Sequence, residues 1–242
     1  KVVNLRDRVR PFRFPENGSP LDVALGIDIG SVSTNVVLLD RHGEIVREIY
    51  TRTQARPVEV VTAALAELHA ELGSRVRVVA AGTTGSGREL IGELIGADTI
   101  NDEITAHKTG AMFIARTMLD GTVDTIFEIG GQDAKYIRIE DGVVVDFAMN
   151  EACAAGTGSF LEERAEELGV CIKGEFAEGA FRSTQPVRLG ERCTVFMERD
   201  VNAMQRRGAH TDDLLAGLAL SVATNYVNRV VRGRRIGGTI FF

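Results

Sequence analysis

The segment Gly26-Ile27-Asp28-Ile29-Gly30-Ser31-Val32-Ser33-Thr34 sets one acid, a glycine and three hydroxyls between apolar positions. Apolar runs on both sides of Gly30-Ser31 predict a β-hairpin. The tip of such a hairpin exposes backbone N–H groups, to which Ser31, Ser33 and Thr34 add hydroxyl donors. A tip of this kind can cradle a phosphate without a lysine. Asp28, at the strand end, suits a hydrated Mg²⁺, an ion that takes one or two carboxylates and completes its shell with water and substrate phosphate. The same residues also build an ordinary tight turn, so this segment alone leaves both readings open.

A second hairpin changes the balance. Glu128-Ile129-Gly130-Gly131-Gln132-Asp133 occupies the same place in a second run of apolar segments. Two glycine tips opposed across a cleft would grip a polyphosphate from both sides. The chain has no Gly-x4-Gly-Lys-Ser/Thr stretch, so a Walker-type loop is excluded. The run Gly82–Gly87 is glycine-rich but lacks the dinucleotide fingerprint and is a weak signal.

Three cysteines, odd in number and widely spaced, make no disulfide framework. Cys171 lies in the apolar triplet Val170-Cys171-Ile172 and reads as a structural core residue. Cys153 and Cys193 each sit just before a predicted helix, whose N-terminus favours negative charge. His42, His69, His107 and His210 are scattered and form no metal spacing.

The elements that would position these groups follow from periodicity. Residues 23–29, 35–39 and 44–51 read as a three-stranded meander. Pro57 opens a helix with a stripe of Val58, Val61, Leu65, Leu68 and Leu72. A strand over 76–81, a loop over 82–87 and helices over 88–95 and 103–119 come next. The plan then restarts with strands at 125–129, 134–139 and 143–149. Helices follow from Gly156, over 194–207 and over 211–232, the last with Leu214, Leu218, Val222, Tyr226 and Val230 on one face. Two α/β lobes with a cleft between them are expected, over residues 23–121 and 122–242. Residues 1–22, with Pro11, Pro15 and Pro20, read as a leader, either linker or surface strap.

Composition narrows the function classes. The 242 residues carry 28 Lys+Arg against 34 Asp+Glu, a net charge of −6. That balance argues against nucleic-acid binding, because a phosphate backbone wants a basic face. No apolar run is read as a membrane span and no signal-peptide pattern appears, so a cytoplasmic location is expected. The chain does not begin with Met, and is expected to be a piece of something longer.

The paired hairpins resemble the phosphate-1 and phosphate-2 motifs of the actin, sugar-kinase and heat-shock-70 ATPase superfamily. Within it, Glu128–Lys135 (EIGGQDAK), Asn150–Glu162 (NEACAAGTGSFLE) and Gly190-Glu191-Arg192-Cys193-Thr194-Val195-Phe196 resemble one branch. That branch is the ATP-dependent activators of 2-hydroxyacyl-CoA dehydratases together with the ATPase subunits of benzoyl-CoA reductase, and its likeness to this chain runs from about Leu25 to Phe242. In particular, residues 191–201 resemble the activase domains of long multidomain relatives.

The resemblance implies two ribonuclease-H-like lobes around a nucleotide cleft. It implies ATP or ADP with Mg²⁺, and a [4Fe–4S] cluster shared by a homodimer, with Cys153 and Cys193 of each subunit as ligands. It also implies a dehydratase or reductase as electron acceptor and a ferredoxin- or flavodoxin-type donor. Asp133 is the candidate to position Mg²⁺ or the attacking water, and Gln132 to orient that water. Lys135 is placed with the phosphates, together with Gly130, Gly131 and the helix start at Gly156, Thr157 and Gly158. Lys108 reads as a surface lysine. Glu128 stands where the superfamily more often has Asp and is not assigned to the metal.

Superfamily members carry a later glycine pair against the adenosine. Here Gly237-Gly238 opens a final strand, so part of that pocket and the last helix are expected to be missing. A sugar or metabolite kinase on the same fold, or a non-catalytic nucleotide-binding domain, are the alternatives. The kinase reading leaves Cys153 and Cys193 unexplained.

Overall fold

The computed structural model describes residues 2–15, 18–150, 157–189 and 194–242. The chain divides into two compact units, Lys1–Gly121 and Thr122–Phe242.

The first unit contains β1 (Leu21–Ile29), β2 (Ser33–Asp40), β3 (Ile45–Arg52), α1 (Pro57–Leu72), β4 (Val76–Thr84), α2 (Arg88–Ile95), β5 (Thr99–Ile100) and α3 (Glu103–Met118). Its sheet has the order β3-β2-β1-β4-β5. Short turns make β1–β2 and β2–β3 antiparallel, whereas β4 follows a helical crossover and pairs parallel to β1. Val23, Leu25, Ile27 and Ile29 alternate into the core, where they meet Val36, Leu38 and Val46 and the α1 residues Val61, Ala64, Leu68 and Leu72. Leu65 is partly buried against this cluster. Val58 departs from the expected stripe and is exposed, because it lies in the first turn of α1. Arg47 of β3 ties the outer face of α1 by ion pairs to Glu67 (3.2 Å) and Glu71 (2.9 Å).

Described residues ahead of β1 pack on this unit. Phe12 and Phe14 pack edge to face at 5.3 Å and lean on the same core. The Arg75 guanidinium sits 3.8 Å from the centre of the Phe14 ring. Arg8 Nη1 donates to the Met118 carbonyl at 2.8 Å, which fastens this segment to the end of α3.

The second unit repeats the plan with β6 (Thr125–Ile129), β7 (Ala134–Glu140) and β8 (Val143–Met149). It continues through α4 (Gly158–Glu167), α5 (Glu175–Arg182), α6 (Thr194–Arg206), α7 (Thr211–Tyr226), a π-helical segment Val227–Val231 and β9 (Ile240–Phe241). The sheet order is β8-β7-β6-β9, with β9 parallel to β6. This matches β3-β2-β1-β4 strand for strand. Ala134 to Ile139 of β7 are buried without alternation, so both faces of that strand are covered.

All five expected core positions of the long helix are buried: Leu214, Leu218, Val222, Tyr226 and Val230. The helix changes winding after Tyr226, and Arg232 N–H donates to the Val227 carbonyl five residues back. That wider turn brings Val230 and Val231 together onto Ala134 and Tyr136. By length and composition the 21 residues Thr211–Val231 could span a bilayer, contrary to the sequence reading. Their core packing explains the apolar character, since 61% of that window is buried inside the structure.

Two further expectations are corrected. Helix α5 was not anticipated from periodicity. Cys171, expected in the core, is exposed. Its neighbours Val170 and Ile172 lean on the core, and the residue between them points the other way. Its backbone N–H donates to Glu175 at 2.8 Å, at the start of α5.

Asp102 caps α3: Oδ1 accepts the Thr105 N–H at 2.9 Å and Oδ2 the Thr105 hydroxyl at 2.7 Å. These hydrogen bonds hold the Asp102 carboxyl below its ordinary pKa. Replacing Asp102 by Ala should destabilise the protein by about 1 kcal/mol at neutral pH. Because the folded-state pKa is depressed, the contribution is complete above the unfolded-state value and fades as pH falls through the folded one. Melting curves of wild type and Asp102→Ala should differ at pH 7 and converge below the carboxylate range. A constant gap at all pH values would contradict the capping role.

Candidate functional site

The two hairpin tips are built alike. In the first, Ile29 pairs with Thr34, and Gly30 N–H donates to the Ser33 carbonyl at 2.9 Å. In the second, Ile129 pairs with Ala134, and Gly130 N–H donates to the Asp133 carbonyl at 2.9 Å. The offset is 100 residues at every tip position, since Ile29, Gly30 and Ser33 correspond to Ile129, Gly130 and Asp133. The preceding acids also correspond: Asp28 pairs with Asn35 across the first hairpin, and Glu128 with Lys135 across the second.

Around the first tip the supports are hydroxyls. Thr53 donates its hydroxyl to the Gly30 carbonyl at 2.7 Å, and its own oxygen lies 2.9 Å from that of Thr34. One hydroxyl carries one proton, so Thr34 is the donor in the second contact. Thr34 is fully buried. The sequence reading made it a phosphate donor; its hydroxyl instead braces the tip from beneath. Ser31 is exposed and Ser33 half-buried, and both remain in place for a ligand.

The glycine run rated weak in the sequence belongs to this site. Gly87 N–H and the Ser86 hydroxyl both donate to the Ile29 carbonyl, at 2.9 and 3.2 Å. Gly85 has φ +87°, and a Cβ there would stand 2.5 Å from Asp28 Oδ1 and from the Ile29 carbonyl oxygen. The loop therefore closes over the end of β1 and borders the Asp28 carboxylate. Thr84 pairs with Asp28 in register, and its hydroxyl oxygen is buried with no hydrogen-bond partner among the described residues. The signal available in the sequence was the loop's position straight after β4, the strand parallel to β1.

Around the second tip the supports are charges and a helix. Lys135 has 2% of its side chain exposed, and its Nζ lies 2.8 Å from Asp133 Oδ1 and 3.2 Å from Glu128 Oε2. Lys135, expected from the sequence to sit with the phosphates, has its ammonium buried between two carboxylates. A Cβ on Gly130 would meet Glu128 Oε1 at 2.8 Å and Asp133 Oδ1 at 3.0 Å, which is why only glycine fits at the centre of this group. Tyr226 donates its hydroxyl to the Lys135 carbonyl at 2.6 Å. Burial pushes the Tyr226 phenol pKa upward, so it remains a donor.

The first amides of α4 point at the same tip. Gly158 N–H donates to the Gly130 carbonyl at 2.8 Å and Ser159 N–H to the Gly131 carbonyl at 3.1 Å. These bonds satisfy donors that a helix start leaves open. The Gly158 amide, assigned to the nucleotide from sequence, thus serves the hairpin, and Thr157 is fully buried. Gln132 is exposed at the tip and Asp133 has 31% of its side chain exposed.

Cys153, Cys193 and Gly156 lie outside the described residues. Among the described residues no group of three or more His, Cys, Asp or Glu side chains could hold a metal ion. Asp28 and Asp133 as single carboxylates at strand ends nonetheless suit Mg²⁺, which keeps most of its water.

The BadF/BadG/BcrA/BcrD ATPase family matches residues 25–242. The chain belongs to this ATPase family. It is 35% identical over 213 residues to the (R)-2-hydroxyglutaryl-CoA dehydratase activating ATPase of Acidaminococcus fermentans, covering 85% of this chain and 77% of the relative. It is also 35% identical over 217 residues to the activator of lactoyl-CoA dehydratase of Anaerotignum propionicum, covering 86% and 78%. The solved activator of the 2-hydroxyisocaproyl-CoA dehydratase from Clostridium difficile, with bound ADPNP, superposes with a TM-score of 0.79 at 30% identity. That match covers 90% of this chain and 78% of the other. The α/β fold expected from the sequence is that of this solved activator.

The Gly85 geometry is testable in this ATPase-family chain. Gly85→Ala should cost roughly 1–3 kcal/mol, the range for a residue forced into a sparsely populated backbone region, with the clash on Asp28 added. Denaturant unfolding of the two proteins measures it. A loss below about 0.5 kcal/mol, the size of an ordinary surface substitution, would mean that the loop does not close on Asp28.

Proposed function

We propose that this chain hydrolyses ATP and couples the hydrolysis to electron transfer into a dehydratase or reductase that acts on acyl-CoA-type substrates. Both hairpin tips act on one triphosphate in this reading. The first contributes Asp28, Gly30, Ser31 and Ser33, and the second Gly130, Gly131, Gln132 and Asp133. Asp28 and Asp133 hold Mg²⁺, mostly through water. Asp133 positions the attacking water and Gln132 orients it. Cys153 and Cys193 of two subunits bind a [4Fe–4S] cluster at the axis of a homodimer, and the cluster when bound supplies a one-electron, low-potential carrier. A ferredoxin- or flavodoxin-type protein is the donor, and the setting is the cytosol.

The observation that carries the coupling is the anchoring of α4. Its first two amides are held by the carbonyls of Gly130 and Gly131, at 2.8 and 3.1 Å. At the other end of the intervening segment, Asn150 N–H is held by the Ala134 carbonyl at 2.9 Å. Asn150 and Gly158, the described residues that flank Cys153 in sequence, are therefore both held by the hairpin proposed to grip the nucleotide. A change at the tip on hydrolysis bears directly on these two residues, which is the differential contact a switch requires. Arg164 relates α4 to α6, the helix that follows Cys193. Its side chain has 9% exposure, and Nη1 lies 2.7 Å from Glu167 of α4 and 3.7 Å from Glu198 of α6. The names of the relatives, which are dehydratase activators, support the choice of partner.

Two measurements test this. Anaerobically purified protein should be brown with about four irons per dimer, and Cys153→Ser or Cys193→Ser should remove the colour while Cys171→Ser keeps it. Colourless wild type after anaerobic reconstitution would refute the cluster. Steady-state ATP turnover should fall roughly 10²-fold or more in Asp133→Asn, the order lost with a positioned catalytic group. Unchanged turnover in both Asp133→Asn and Asp28→Asn would place the active site elsewhere.

A further inference from the structure

The internal repeat isolates one substitution that the ATPase reading does not use. At the position of Asn35 in the first hairpin, which is exposed, the second has Lys135, which is buried. At the position of Asp28 it has the longer Glu128. An ammonium withdrawn from water costs several kcal/mol unless it is paired and hydrogen-bonded. Here the pairing is double, with Asp133 at 2.8 Å and Glu128 at 3.2 Å. One positive and two negative charges leave the group with a single net negative charge, and its most exposed member is Asp133, at 31% against 20% for Glu128. Lys135 is further fixed through its backbone, whose carbonyl accepts the buried Tyr226 hydroxyl.

We propose that Lys135 is a positioning residue for Asp133 and makes no contact with the nucleotide. This inference rests on the ATPase reading of the tip. The buried ammonium holds Oδ1 of Asp133 and so selects one rotamer, leaving Oδ2 as the oxygen outside the ion pair. Glu128 balances the charge from the far side. Without the ammonium, two carboxylates confront each other around Gly130, where both lie within 3.0 Å of the point a Cβ would occupy. Asp133 then turns away from Glu128, and its reach at the tip is lost.

The role separates from phosphate binding by kinetics and by compensation. Lys135→Met removes the ammonium and leaves both carboxylates. Glu128→Gln/Lys135→Met removes one charge of each sign, restores the net charge, and places an amide donor beside Asp133 Oδ1. Full-length wild type, Lys135→Met and the double variant are compared for ATP turnover, for affinity for a fluorescent ATP analogue, and for melting temperature.

The expected result is a fall in kcat of roughly 10²-fold in Lys135→Met, the order lost when a reacting group is displaced by about 1 Å. KM and analogue affinity stay within about threefold, since no nucleotide contact is removed. The double variant recovers at least about tenfold in kcat, and its melting temperature rises above that of the single variant. A tenfold or larger loss of analogue affinity in both variants, with kcat retained, would overturn the inference and make Lys135 a phosphate ligand. Equal loss of kcat in both variants would overturn it as well. If Lys135→Met does not fold, the double variant alone decides, by the ratio of its kcat loss to its affinity loss. Wild type that turns over no ATP would instead overturn the ATPase reading, and this inference with it.

Discussion

In each unit a glycine amide donates to the carbonyl three residues further on, at 2.9 Å, and the rest of the site depends on that closure. The bond is geometrically demanding because the two strands must arrive in register on either side of it. Their registers are in turn set by the alternation of Val23, Leu25, Ile27 and Ile29 into the first core and by the full burial of β7 in the second. In the first unit a slip of one residue would turn every core side chain of β1 outward. The tips are thus held by the cores behind them, and they present at fixed places their backbone and their acids, Asp28 in the first and Glu128 and Asp133 in the second.

The two tips reach this end by different chemistry. The first relies on neutral hydrogen bonds, with Thr34 and Thr53 relaying to the Gly30 carbonyl. Each such bond contributes about 1 kcal/mol and tolerates partial solvation. The second relies on the buried charges of Glu128, Lys135 and Asp133, where a broken pair leaves an uncompensated ion. Charges hold an orientation more strictly than hydroxyls do, and they bear on neighbouring carboxylates through space. The stricter tip is also the one that carries the candidate catalytic acid and the start of α4. The same few residues therefore set the geometry of Asp133 and hold the start of α4.

The long helix shows how packing overrides the local reading of a segment. Its composition allows either a bilayer span or a core. Tyr226, Val230 and Val231 decide for the core by docking on β7, with the π-helical turn adjusting the pitch to bring the last two together. Cys171 illustrates the reverse case. Its apolar neighbours suggested burial, yet two flanking side chains that enter a core force the one between them outward.

The sequence by itself determined the meander of each unit, the stripes of α1 and α7, and the place of both glycine tips, because short-range periodicity and turn chemistry are local properties of the chain. It also carried the motifs that led to the family. What the tertiary structure decided was direction and partnership. Thr34 and Lys135 read as ligand-facing, and the structure gives both of them internal partners, because whether a polar side chain meets solvent or a neighbour depends on residues 19 positions away in the case of Thr53 and on the charge across the strand in the case of Glu128. The Gly82–Gly87 run read as weak and proved to border Asp28, because only the parallel pairing of β4 with β1 brings together residues separated by 57 positions, as in the Ser86 to Ile29 hydrogen bond. Spacing along a chain cannot report such a contact; the sheet makes it.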